Sequence, residues 1–195
     1  MIGLVTELPR IVRRYLADRR GAAAAEFALW TAAFIVPTSS AIDLSFYSYE
    51  KMELNNAAQA AAQAAWATCA PSSVPAATKC AGLQTALATA AHSTGLGAAA
   101  ALQPSTEGFY CLTAAGALQL VGTAGSIPTS GAGTAPTPPS GNCAAQGASF
   151  AGNTQSPGDY VQITVHYTYT PLFKGLSVLS LVPTVMSRTA WMRLA

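Results

Sequence analysis

The run "GAAAAEFALWTAAFIVPTSSAI" fills the 22 positions between Arg20 and Asp43, and Glu26 is the single charge within it. A carboxylate in such surroundings is costly unless it is paired, so the chemistry open to Glu26 is charge pairing. On a helix its neighbour at i−4 is Ala22, which has no polar side chain to offer. The other reactive residues are Cys69, Cys80, Cys111 and Cys143, all downstream of this run. An even number of cysteines in an exported domain favours disulfides. Nearest-neighbour pairing gives Cys69 with Cys80 and Cys111 with Cys143, one of three possible connectivities.

For catalysis or metal binding the sequence offers little. It has no Gly-x-Ser-x-Gly elbow, no phosphate-binding glycine loop and no His-Glu-x-x-His. Eight acidic residues in 195, with no cluster of carboxylates, leave general acid/base chemistry little to draw on. His92 and His166 are far apart and lack acids at ligand spacing, and no Cys-x-x-Cys pair exists, so no metal and no cofactor is expected. The reading is a non-enzyme. Nucleic acid is not expected as a partner either, because basic residues cluster only at the head of the chain.

The elements that position these residues begin with that basic head. Arg10, Arg13, Arg14, Arg19 and Arg20 stand against Glu7 and Asp18, whereas the rest of the chain has six carboxylates and five basic side chains. The bias predicts a cytoplasmic N-terminus and an exported remainder. At the helical rise the 22 uncharged or singly charged positions reach about 33 Å, enough to cross the hydrocarbon core. The expected division is a basic head over 1–21, a transmembrane helix over 22–49 and a periplasmic domain over 50–195. Asp43 then either pairs with a neighbouring subunit or, the preferred reading, marks the helix reaching the headgroups, where its charge is solvated. A second reading stays open: Phe27 to Val36 is an ordinary signal-peptide core, and "SSA" at 39–41 permits cleavage after Ala41. That would release a soluble binding module or adhesin.

Alanine, leucine, glutamine and glutamate predict one long helix over 22–69, with a kink at Pro37 and a stop at Pro71. Leu54, Ala58, Ala61, Ala65 and Cys69 share one stripe of it, a small-residue face suited to close packing against other helices. Ala81 to Leu102 predicts two short helical pieces around Gly95 and Gly97. Residues 108–122 read as a hairpin turning at Ala114–Gly116. Residues 123–142 carry no charge and are rich in Gly, Pro, Ser and Thr, so a loop leaning to disorder is expected there. Alternation in "DYVQITVHYTYT" predicts a half-buried strand, and "TVMSRTAWMRL" a last one. Trp66 and Trp191 read as packing anchors. The fold class is α+β, one long helix on a small antiparallel sheet.

The stretch "RRGAAAAEFAL", Pro37 within the apolar helix, "YEKMELNNAAQAAAQAAW" and the closing "VQITVHYTYTPLF…VMSRTAWMRL" together resemble the TadE-like pseudopilins of tight-adherence (Flp, type IV-like) pilus systems. The resemblance covers about residues 13–69 and 159–194. It implies a processing site at Gly21 and Ala22, cut by a prepilin peptidase on the cytoplasmic face. Ala22 would become the new N-terminus and Glu26 the fifth mature residue. The freed amino group would pair with Glu26 in the same or an adjacent subunit, which makes Glu26 and Phe27 assembly determinants. The implied role is that of a minor pilin that primes, caps or sparsely joins the fibre. The implied partners are other pilin and pseudopilin subunits, the inner-membrane assembly platform and the lipid bilayer.

Overall fold

The computed structural model describes residues 19–69, 73–130, 133–181 and 183–195, with Arg19, Arg20 and Ser180 by backbone alone. Most of the expected leader, including Arg10, Arg13 and Arg14, lies outside the described residues, as does Pro71.

Helix α1 spans Arg19–Thr68, 50 residues, and it runs through Pro37 without interruption. Proline cannot donate to the carbonyl four residues back, so the Ala33 carbonyl loses its usual helical donor while the helix continues on both sides. The described chain divides into two compact units: residues 19–46 with 171–181, and Tyr47–Thr170 with Pro183–Ala195.

In the first unit the helix from Gly21 to Thr38 is exposed throughout, with Phe27, Leu29, Trp30, Phe34, Ile35 and Val36 projecting from it. Trp30 and Phe34, one turn apart, stack at 6.1 Å between centroids. Ser39 and Asp43, also one turn apart, are buried, and so are Ser177 and Leu179 of the 171–181 segment.

The second unit is built on a five-stranded antiparallel sheet: β1 Ala101–Leu102, β2 Ser105–Leu112, β3 Leu118–Ile127, β4 Gly158–Thr168 and β5 Val185–Arg193. Strand β4 is central. Along one side it pairs with β5, from Tyr160↔Arg193 to Thr168↔Val185. Its other side pairs with β2 over Gly158–Gln162 and with β1 at Val165 and His166. Strand β3 lies outside β2. Two short helices, α2 Ala76–Lys79 and α3 Leu83–His92, precede the sheet.

Alternation in β4 puts Val161, Ile163 and Val165 on a fully buried face, as its period of two predicts. Leu54, Ala57, Ala58, Ala61 and Ala65 of α1 are buried in the same unit at i, i+3, i+4 spacing. With Leu83 and Leu87 of α3 they make the main core. Alanine's short side chain lets a helix approach closely and loses no rotamer freedom on burial. A smaller cluster joins Cys111, Val121, Cys143 and Phe150, with Phe109 against it.

Both cysteine pairs form as nearest neighbours, Cys69–Cys80 and Cys111–Cys143, with Cα atoms 5.8 and 5.7 Å apart. The 108–122 hairpin is present with longer strands, turning at Thr113–Ala117. The 81–102 stretch is α3, then a 3-10 turn at Gly97–Ala99 and the two residues of β1. The 123–142 stretch departs from a plain loop. Its first five residues complete β3, and Thr134 and Thr137 bridge back to Ser126 and Thr123. Glycine makes this possible. A Cβ at Gly122 would collide with the Thr137 carbonyl, and one at Gly125 with the Thr134 carbonyl. Two backbones meet there with no side chain between them.

Candidate functional site

Gly21, Ala22, Glu26 and Phe27 all lie on the exposed face of α1 in the first unit. Gly21 has ordinary helical geometry, and a Cβ added to it would meet nothing within 4 Å. Gly21 lies inside the helix as described from Arg19 onward, so nothing in the described fold asks for glycine there.

Asp43 corrects the expectation of a solvated charge at the headgroups. It is 0% exposed, and its carboxylate accepts the backbone N–H of Leu172 at 2.9 Å and of Phe173 at 3.4 Å. Ser40, on the neighbouring helical position, accepts the N–H of Val178 at 3.3 Å. Sequence reading missed this arrangement because the partners lie about 130 positions away. The available signal was an acid and two serines on one face of an otherwise apolar helix.

The small-residue stripe also needs correction. Ala58, Ala61 and Ala65 are buried within their own unit, so they are closed to other helices. Large apolar side chains of α1 remain open from Phe27 to Val36 and again at Leu44, Phe46, Met52 and Trp66, so Trp66 is not the packing anchor expected of it.

A second carboxylate site escaped the sequence altogether. Glu107 on β2 and Asp159 on β4 come from strands paired at Glu107↔Val161 and Phe109↔Asp159, which puts both acids on one face. Both are buried, at 0% and 3% exposure. Both Glu107 oxygens accept N–H groups from the start of α2, Ala76 at 2.5 Å and Ala77 at 2.6 Å. Burial, then the Glu107 charge, then a hydrogen bond to Glu107 push the Asp159 carboxyl up to about 7. With both Glu107 oxygens taken as acceptors, the shared proton belongs on Asp159. The pair is enclosed, and its geometry is that of a tie between sheet and helix. At the other end of β4, Tyr167 is pushed up to about 12 by burial, by a hydrogen bond to Glu50 of α1 and by the Glu50 charge. Glu53 accepts the N–H of Gly95 at 3.0 Å. Within the second unit, α1 is therefore tied by Glu50, Glu53 and the Cys69–Cys80 bond.

Among the described residues no three His, Cys, Asp or Glu side chains gather as metal ligands. His166 sits half-buried on the opposite face of β4 from Val165, and His92 closes α3.

An exposed apolar helix with a lone acid near its start, continued as an alanine-faced core helix, is the feature that the comparisons pick out. The family model for TadE-like protein matches residues 21–63. Its first matched residue is Gly21, and its last lies within α1. The TadE-like segment thus holds Glu26, Phe27, Pro37, Asp43, Glu50 and Glu53. It contains neither disulfide and no strand. The match is consistent with a TadE-like protein of tight-adherence pilus systems, a structural and pilus-associated family. Searches among curated proteins and among solved structures return no match. From Gly21 onward the helix that carries the match is long and apolar enough to cross a membrane.

Proposed function

We propose that this chain is a minor pilin-like component of a tight-adherence pilus, held in the inner membrane by residues 22–49 with its sheet domain in the periplasm. Its work there is assembly: priming, capping or sparse incorporation beside other pilin subunits. The observation that carries the reading is the TadE-like match starting at Gly21, on a helix whose apolar side chains are left uncovered. Four cysteines paired in two disulfides fit an oxidising compartment. A glycine at 21 that the fold does not require fits recognition by a processing peptidase. After cleavage the new amino group of Ala22 would lie one turn from Glu26, and either could pair within the subunit or with a neighbour.

Release by cleavage after Ala41 fits less well. Helix α1 is unbroken there, and the cut would separate Ser40 from Asp43, which together hold the 171–181 segment.

Intact mass and N-terminal sequencing of the protein from cells carrying the whole assembly system decide between the two. A start at Ala22 in the membrane fraction is expected, and Glu26→Ala in the same cells should insert normally but recover less pilin on co-purification. A soluble form starting at Ile42 would overturn the pilin reading.

A further inference from the structure

The 171–181 segment, "PLFKGLSVLSL", is built the opposite way to a loop meant for water. Six of its backbone N–H groups find acceptors within the unit. The N–H of Leu172 and of Phe173 goes to Asp43, that of Leu176 and of Ser177 to the Phe173 carbonyl at 3.1 Å, that of Val178 to Ser40, and that of Leu179 to the Ser177 hydroxyl at 3.2 Å. All but one of its leucine, phenylalanine and valine side chains turn outward: Leu172, Phe173, Leu176 and Val178 are exposed, Leu181 is 87% exposed, and Leu179 alone is buried. Water rewards neither choice. A hydrocarbon environment demands both, because no solvent is present there to satisfy a free N–H and because apolar side chains are at home.

Position along α1 agrees. Asp43 lies 21 residues beyond Ala22, about 32 Å along the helix, which is the depth at which a span that starts at Ala22 reaches the far boundary of a core about 30 Å thick. Asp43 and Ser40 are fastened to the segment, so wherever this turn of α1 sits, the segment sits beside it. Lys174 is exposed at the segment's turn, on a stem long enough to reach lipid phosphates while its neighbours stay in the acyl region.

We propose that residues 171–181 are a second membrane-contacting element, lying in the leaflet at the Asp43 end of the span with Leu172, Leu176, Val178 and Leu181 against acyl chains and Lys174 at the phosphates. This rests on the reading that α1 crosses the bilayer. Asp43 is then the polar hub that lets non-helical backbone enter lipid, by taking up N–H groups that would otherwise be bare.

The test uses the full oxidised chain in vesicles of phosphatidylethanolamine and phosphatidylglycerol. A single new cysteine carries the environment-sensitive fluorophore NBD, since the four native cysteines are bonded and do not react. The expected result for Leu176→Cys, and again for Leu181→Cys, is blue-shifted emission that is largely lost when nitroxide-bearing lipids are included. Gln119→Cys, exposed on β3, serves as the water reference, and Ile35→Cys reports the span itself. Quenching at Ile35 with water-like, unquenched emission at both 176 and 181 would overturn the proposal and leave the span standing. Water-like emission at Ile35 as well would remove the membrane reading on which it rests.

Discussion

Asp159 holds its proton to a higher pH in the fold than in the unfolded chain. Its carboxyl, ordinarily near 3.8, is raised to about 7 in the fold. Between those values the native state binds the extra proton, so the stability this group contributes is full below about pH 4 and is lost as pH rises through about 7. Asp159→Asn keeps a donor facing Glu107 and cannot ionise. The expected outcome is a flatter dependence of Tm on pH over that window, with the variant gaining on the parent toward its upper end, read by thermal unfolding of the detergent-solubilised chain. An unchanged slope would place the proton on another group. Neither acid was conspicuous in the sequence: each is a single carboxylate, and 52 positions separate Glu107 from Asp159. Only the register of β2 against β4 brings them together.

The elements themselves were largely legible. Strand β4 announced itself by strict alternation, and α1 by composition and by a stripe whose members are buried one for one. What periodicity does not encode is how one backbone meets another. The Gly122 and Gly125 approach that orders part of the 123–142 stretch shows in the sequence only as glycines, which also mark disorder. The tie between α1 and 171–181 is of the same kind. Removing its hub by Asp43→Ala leaves the N–H groups of Leu172 and Phe173 without that acceptor. A buried donor left bare costs about 1–3 kcal/mol. Limited proteolysis in detergent should then cut within 171–181 at a rate well above that of the parent, while α1 still partitions with membranes. Equal cutting rates would show that the segment is held by other contacts.

For the molecule as a whole, the α+β class was legible in the chain and the nearest-neighbour cysteine pairing was one of three that the chain allowed, whereas the family match ends within α1 and stops short of the sheet. The alanine-rich main core buries little area per residue, so the bridges matter to the second unit. Cys111–Cys143 closes a separation of 32 residues across the smaller cluster. Replacing both cysteines with serine should lower stability by about 3–4 kcal/mol through the regained freedom of the unfolded loop. Chemical denaturation of the full chain in detergent checks this, and a loss under about 1 kcal/mol would mean that Phe109, Val121 and Phe150 hold the cluster without the bridge.

The return of residues 133–137 along β3 has one more effect. A strand at the margin of a sheet offers unpaired N–H and C=O groups to any extended peptide, and proteins commonly block such margins. Here the Ser126–Thr134 and Thr123–Thr137 bridges already occupy that side of β3. Among the described strands, β5 is then the long one whose outer side stays open to strand addition. A neighbouring chain that extended this sheet would do so beside Val185–Arg193.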